Sequence, residues 1–479
     1  MQSMLRAGLL KTTGHLALPT QKLFGTDGIR GKAGTFLTGD IAFQIGYWTG
    51  QILKSQASQL GPVILGQDSR NSGKTLVSAL TLGLTKAGMD VWQLGLCPTP
   101  AVAYLVNDSA AVGGIMVSAS HNPPEDNGIK IFGANGIKLP AVLQDQIEAG
   151  IRGQQRRLDT APATSGTSVT RCDLLDLYLS SLLAPLANVG LQGMKVVLDL
   201  AWGAAVYTAP TVFQTLGAEV ICLHALPDGD RINVNCGSTH LEPLSQAVQR
   251  HRADIGFAFD GDADRVIAVD GQGRCVDGDY ILYLWGQHLQ DRAQLPGHTL
   301  VSTVMANLGF ERAWEQMGGR LIRTPVGDQH VQTAMTQQSV MLGGEQSGHV
   351  LCSHFGVSGD GVLTALHLAA LVKEGGRSLS ELRDQSFQPY PQLLKNICVE
   401  DASRRLQWQD CEALQAAIAN ATAAMGNQGR VLVRASGTEP ILRIMVEAEL
   451  AEWANHWSEE LSRIAYQHLV EPFSLLTCA

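Results

Sequence analysis

The chain has 479 residues, 45% of them apolar and 16% charged, with 51 glycines; this length predicts about three or four domains, and the composition fits a soluble α/β enzyme and excludes extensive disorder. A formal charge of −9 with no Lys/Arg block excludes a nucleic-acid backbone as partner, and no apolar run reaches the roughly 20 residues that span a bilayer. Nine scattered cysteines without a CxxC argue against a disulfide framework or a thiolate zinc site and fit a reducing compartment.

Residues 1–20 carry Arg6, Lys11 and Thr12 but no acid, and are read as a disordered extension in preference to a transit peptide. The next segment, FGTDGIRG from Phe24, is a glycine loop in which Arg30 can offer a planar fork to phosphate oxygens. Helical apolar spacing follows over 42–53, and 62–65 reads as a buried strand. The stretch VSASHNPP then ends a strand in a turn, because Asn122 before Pro123 is pushed out of the helical region. Alternation places Ser118 and Ser120 on one face and so does not choose between them; His121 and the turn favour Ser120 as the exposed hydroxyl. A serine beside a histidine also serves as a plain turn cap, so neighbouring motifs must decide.

The hydroxyl-rich stretch 161–170 and the turn 389–392 read as low-order connections at domain edges. Residues 195–200 read as a buried strand and 279–289 as a helix, so parallel sheets covered by helices are expected. The strand 255–259 runs into DGDADR, where Asp260, Asp262 and Asp264 would repel one another without a cation. Hard carboxylate oxygens of this kind suit Mg²⁺. A calcium loop of the EF-hand type fails, because Arg265 stands where Gly is needed and Gly271 where Glu is needed. A phosphatase with Asp260 as nucleophile stays open on this motif alone.

The loop GGEQSGH contributes Glu345 and Ser347, able to bond hydroxyl or amino groups of a polar ligand. The segments 114–132, 255–269 and 340–351 share a strand, polar loop, strand pattern and read as diverged repeats that each lend one loop to a cleft. The apolar stretch 362–372 is of helix-core length. Beyond residue 390 the pattern becomes a strand, a helix over 411–425, strands over 430–434 and 442–447 and a last amphipathic helix, which is a smaller α+β domain. Its RASGTEP loop with Arg443 collects two guanidinium groups, two hydroxyls and backbone amides suited to a dianionic phosphate.

In this order FGTDGIRG, SASHNP with DNGIK, FDGDADR, GGEQSGH and RASGTEP resemble the α-D-phosphohexomutase superfamily, and within it the phosphoglucosamine mutases, from Phe24 to about Glu447. The resemblance implies a four-domain architecture around a central cleft: three α/β domains with mixed sheets (21–165, 166–270 and 271–390) and a C-terminal α+β domain (391–479). It implies Ser120 as a phosphoserine, with Ser120, Asp260, Asp262 and Asp264 holding one Mg²⁺. Arg265 and His121 would steady the phosphate, and Arg30 and Lys130 would be proton-transfer candidates. Thr324, Gly327, Asp328, Glu345, Gln346 and Ser347 would bind the sugar, while Arg434, Ser436, Gly437, Thr438 and Arg443 would anchor the phosphate that is not reacting.

The implied reaction is isomerisation of glucosamine 6-phosphate and glucosamine 1-phosphate through a 1,6-bisphosphate that also activates, in the cytoplasm, for amino-sugar nucleotide and cell-wall precursor synthesis. First phosphorylation of Ser120 would come from a kinase or autophosphorylation, in a monomer or homodimer. Gln346, where glucose and mannose mutases usually carry Met, and NVNCGSTH from Asn233 favour the glucosamine branch; a phosphoglucomutase or phosphomannomutase is the alternative, beside the Asp260 phosphatase and an inactive sugar-phosphate binder. Ala263, where Gly is frequent, and Pro124-Glu125, where an aromatic pair is common, depart from the pattern.

Overall fold

Four sheets succeed one another along the chain in a computed structural model that describes residues 18–57, 59–154, 164–436 and 440–470. The expected N-terminal extension up to residue 17 and the phosphate-loop residues Gly437 and Thr438 lie outside the described residues.

The first sheet contains β1 (Ile29–Lys32), β2 (Val63–Gln67), β3 (Val91–Leu96), β4 (Gly113–Val117), β5 (Asp126–Gly133) and β6 (Ser168–Thr170), in the order β1-β5-β4-β2-β3-β6. The second contains β7 (Lys195–Asp199), β8 (Glu219–Leu223), β9 (Ile255–Phe259), β10 (Val266–Asp270) and β11 (Cys275–Val276), ordered β11-β10-β9-β7-β8. The third contains β12 (Thr299–Thr303), β13 (Arg320–Thr324), β14 (Leu342–Gly344) and β15 (Val350–Cys352), ordered β13-β12-β14-β15.

One four-strand pattern underlies all three sheets. The strings β3-β2-β4-β5, β8-β7-β9-β10 and β13-β12-β14-β15 each hold three parallel strands and an antiparallel fourth that forms a hairpin with the third. The hairpin loops are the three polar segments singled out in the sequence. The sheets are therefore mixed, as the resemblance implied, and not the parallel sheets that the apolar runs alone suggested, since so short a connection can join only antiparallel neighbours. A second correction concerns the stretch read as loose up to residue 170: its end, β6, pairs in parallel with β3 and is exposed along its length.

One continuous apolar core runs through these three units, from Ile64 and Phe132 through Phe257 to Trp314 and Leu366. The helix Gly361–Gly375 contributes a buried run from Val362 to Val372; being apolar all round, it belongs inside the protein. No helix among the described residues is long and apolar enough to cross a membrane.

The fourth sheet, β16 (Gln392–Cys398), β17 (Gly429–Ala435) and β18 (Ile441–Ala448), is antiparallel in the order β16-β18-β17. It packs with the helices Glu412–Met425 and Ala451–Ala465 on its own core of Val399, Leu414, Ile444 and Leu461. Arg430 joins it to the third unit, donating to Val304 O at 2.8 Å and Ala306 O at 2.6 Å while pairing with Glu447. A unit with its own core and polar fastenings can move as a body.

The helices Gly39–Gln56 and Gly73–Lys86 meet backbone to backbone: a Cβ on Gly83 would lie 2.2 Å from Phe43 O and 2.6 Å from Tyr47 N. Neither atom can yield without moving a helix. Gly83→Ala should therefore cost about 2 kcal/mol despite the better helix propensity of alanine. Thermal unfolding should show a midpoint several degrees lower, and an unchanged midpoint would mean that the helices can part freely.

Candidate active site

Ser120 stands just beyond β4, which ends at Val117, and its φ of 55° is left-handed. Strand alternation therefore stops before it, and the two serines part company. Ser118 accepts from Ser120 N at 2.9 Å and hydrogen-bonds the Asp68 carboxylate, whereas Ser120 Oγ donates to Asp260 Oδ2 at 2.5 Å and lies 3.3 Å from His121 Nδ1. Ser120 is also fully buried, so the expectation of an exposed hydroxyl is corrected. The turn tucks it against the acidic loop of the second unit.

Asp260, Asp262 and Asp264 follow β9 and are buried, with one oxygen from each within 4.8 Å of the others. Burial, reinforced by Asp264 and Asp262, pushes Asp260 well above the usual carboxylate range. Burial also works against ionisation of Asp264, but Lys130, His349 and Arg265 hold it well below that range. Lys130 Nζ donates to Asp262 Oδ2 and Asp264 Oδ2, both at 2.7 Å, and Thr99 Oγ1 adds a 2.5 Å bond to Asp262 Oδ2. Among the described residues Oδ1 of Asp262 and of Asp264 has no hydrogen-bond partner. Three carboxylates facing Lys130 and Arg265 still outnumber the cations, and two orphaned oxygens in the dry interior are costly. A hard divalent cation with oxygen ligands answers both, so the residues fit Mg²⁺.

Ala263, inside this loop, has a φ of 57°, which explains why glycine would be at home there.

The remaining residues expected in this region gather round the same point. Burial first, then Arg265 and Arg30, lower His121 to about 4, so near neutral pH its ring is uncharged and its Nδ1 accepts from Arg265 Nη1 at 3.2 Å. It thus supplies hydrogen bonding and no charge. Lys130 is opposed by burial, yet Asp262, Asp264 and Asp27 raise it well above the usual lysine value; while it faces them it keeps its proton. Arg30 pairs with Asp27 and donates to Asn122 Oδ1 at 3.1 Å.

The third loop closes from the other side. Gly327 N donates to Glu345 Oε1 at 3.0 Å, Gln346 is half-buried and Ser347 is exposed. Thr324 is buried at the end of β13, its hydroxyl 2.9 Å from Pro325 O. Asp328 pairs with Lys138 of the first unit, which also pairs with Asp27. His349 lies 3.7 Å from both Asp264 and Asp328. Sequence reasoning missed Asp27, Lys138 and His349. Asp27 and His349 sit inside motifs already singled out, FGTDGIRG and GGEQSGH; Lys138 carried no signal.

On the fourth sheet Arg434 and Arg443 are direct cross-strand partners of β17 and β18. Like charges so placed repel; burial, then Arg443, lower Arg434 from its ordinary value. An anion bound between them would relieve that repulsion. Ser436 follows, buried, its N–H on Ile441 O at 2.9 Å. These two arginines are thus brought together with each other by the pairing of the strands.

A second cluster, Asp199, His224 and Cys236, has metal-ligand chemistry but is already matched. Asp199 accepts from His224 Nδ1 at 2.8 Å and from the N–H groups of Ala201 and Gly237, and burial pushes the Cys236 thiol up to about 12. It knits strand ends together.

Comparison with known proteins agrees with this geometry. Models of the phosphoglucomutase/phosphomannomutase family match in order: α/β/α domain I over residues 21–157, domain II over 176–273, domain III over 277–390 and the C-terminal domain over 394–464. A phosphoglucosamine mutase of Nostoc punctiforme is 63% identical over 457 residues, 95% of this chain and 93% of the relative. One from Synechococcus elongatus is 60% identical over 94% of this chain and 95% of its own length. Among solved structures, a phosphoglucomutase/phosphomannomutase family protein from Burkholderia thailandensis superposes with a TM-score of 0.78 at 25% identity, covering 94% of this chain and 98% of that one. N-acetylphosphoglucosamine mutase of Aspergillus fumigatus, solved with GlcNAc-6P and magnesium, shares the fold at a TM-score of 0.68 and 17% identity over 93% and 96% of the two chains. With all four domains matched in order and relatives this similar over nearly their whole length, the chain belongs to the phosphoglucomutase/phosphomannomutase family.

Proposed function

We propose that the protein is a phosphoglucosamine mutase, an isomerase that interconverts glucosamine 6-phosphate and glucosamine 1-phosphate through phosphorylated Ser120. The observation that carries this reading is the Ser120 hydroxyl, buried and 2.5 Å from Asp260 in a loop of three aspartates. The relatives' shared name supports the choice of glucosamine over glucose or mannose. The same contact disfavours a phosphatase in which Asp260 attacks, because Ser120 Oγ and Arg265 N already bond its two carboxylate oxygens.

Asp260, Asp262, Asp264 and the Ser120 oxygen would hold Mg²⁺, which when bound offsets charge on the transferring phosphoryl group. Phosphoserine gives its phosphoryl group to the free hydroxyl of the sugar phosphate: the Ser Oγ–P bond breaks, the sugar O–P bond forms, and the hydroxyl proton leaves to a basic group of the cleft. The 1,6-bisphosphate turns end for end, and its other phosphate returns to Ser120. Arg30 and Lys130 would be the proton-transfer candidates, Lys130 only once its aspartate partners are taken up by the metal and no longer hold its proton; Arg265 and His121 would steady the phosphoryl group, and Thr324, Gly327, Asp328, Glu345, Gln346 and Ser347 would bind the sugar. Arg434, Ser436, Gly437, Thr438 and Arg443 would grip the distal phosphate, and closure of the separately cored fourth domain would exclude the water that hydrolyses phosphoserine. The described cysteines are free, which supports a reducing cytoplasm as the place of work.

The test is phosphorus NMR of the purified protein with Mg²⁺, a trace of hexose 1,6-bisphosphate and, separately, the 6-phosphates of glucosamine, glucose and mannose. Glucosamine 1-phosphate should form fastest. Preference for glucose or mannose would overturn the substrate, and release of inorganic phosphate alone would overturn the mutase.

A further inference from the structure

The Ser120 turn is gripped from behind by two side chains that the reaction does not otherwise use. Arg70, with a side chain fully buried, donates through Nη2 to Ser120 O at 3.0 Å and Asn122 O at 2.8 Å. Its Nη1 serves Pro123 O and Asp126 O, and its Nε is fixed by Asp68 Oδ2 at 3.0 Å. These contacts use all five guanidinium hydrogens. None is left for a phosphate, so Arg70 holds the loop and not the ligand.

From the second unit Asn233 repeats the grip: its Nδ2 donates to Ser120 O at 2.8 Å and to Asn122 O at 3.0 Å. Both amide hydrogens are spent. Asn233 itself is left-handed, with a φ of 62°, as is Ser120, and a Cβ on Gly261 of the acidic loop would come within 2.7 Å of Ser120 O and 2.9 Å of Asn233 Nδ2. The two grips are also fastened to each other. Ser69 Oγ donates to Trp202 O at 2.7 Å, just beyond β7, and Asn71 Nδ2 to Asp230 Oδ1 at 2.6 Å, in the loop that carries Asn233, so the residues flanking Arg70 are fastened to the second unit.

We infer that Arg70 and Asn233 are positioning residues that clamp the carbonyls of Ser120 and Asn122 from two domains, and so fix the serine oxygen in line with the acidic loop for phosphoryl transfer. A left-handed residue persists only where its surroundings over-determine it, and phosphoryl transfer depends on placing the attacking and leaving oxygens in line. The clamp also fastens the first two domains to each other around the serine.

This inference rests on the mutase reading, and the test separates the two. Asn233→Gly keeps the left-handed backbone and removes only the amide, while Asn233→Asp keeps shape and backbone but turns a carboxylate toward two carbonyls. With glucosamine 6-phosphate, kcat should fall about 10-fold for the first and about 100-fold for the second, the scale on which a misplaced reacting atom is felt. KM and the Mg²⁺ concentration for half-maximal rate should stay near wild type, while the melting temperature falls by no more than a few degrees. Arg70→Lys should behave like Asn233→Gly, and if it does not fold the Asn233 pair decides. Wild-type turnover in Asn233→Asp would overturn the clamp, as would a parallel shift of kcat, KM, metal requirement and melting temperature, the signature of general loosening. A wild type inert toward every hexose phosphate would overturn the function reading and this inference with it.

Discussion

Replacement of Ser120 by alanine is expected to reduce mutase turnover by roughly four orders of magnitude or more, the scale seen when a covalent nucleophile is removed. No neighbour can stand in. Ser118, two residues away, is turned to Asp68 and to the Ser120 N–H. Ser118→Ala should therefore leave turnover within about tenfold of wild type. The fold should survive Ser120→Ala, because alanine meets the same left-handed strain and only the hydroxyl's contacts with Asp260 and His121 are lost, a change of about 1–3 kcal/mol. Phosphorus NMR of the two variants after incubation with hexose 1,6-bisphosphate decides: a phosphoserine signal in Ser118→Ala and none in Ser120→Ala. Turnover retained in Ser120→Ala, or abolished in Ser118→Ala, would sink the assignment.

Strand alternation could not draw that distinction, although His121, the turn and the SASHNP motif pointed to Ser120, and the reason is physical. Alternation is a property of strands, but β4 stops at Val117 and the chain turns left-handed at Ser120, under donors from Arg70 and from Asn233, which is 113 residues away. Local composition cannot announce a partner that distant. Lys138, whose ion pair with Asp328 spans 190 residues, was invisible for the same cause. What the sequence did show were features fixed over a few residues. The strand Ile255–Phe259 was legible because it is wholly apolar and ends abruptly in three acids. The loop repeats were legible as strand, polar loop, strand, although only the sheets reveal a shared strand order. Ser168–Thr170 misled because an exposed, hydroxyl-rich edge strand has no apolar face to advertise it, and its pairing with β3 is supplied by the neighbour.

Asp262→Asn should raise the Mg²⁺ concentration needed for half-maximal rate by on the order of 100-fold and lower the saturated rate by about 10²–10³-fold, as expected when one carboxylate is taken from a small set of ligands. Asp262 is the informative position. Its Oδ2 is occupied by Lys130 and Thr99 while its Oδ1 has no partner among the described residues, so Oδ1 is the oxygen left to a cation. The amide oxygen of asparagine can still accept from Thr99 or Lys130, and Lys130 retains Asp264 and Asp27, so the metal-free variant should fold. Binding to the native state alone stabilises by about 2.7 kcal/mol at a ligand concentration of 100 Kd. Wild type should therefore melt several degrees higher with saturating Mg²⁺ than with chelator, and Asp262→Asn should lose most of that difference. This readout does not depend on turnover. An equal Mg²⁺-induced rise in both proteins would show that the ion is held elsewhere, and the three aspartates would then need another explanation for being buried side by side.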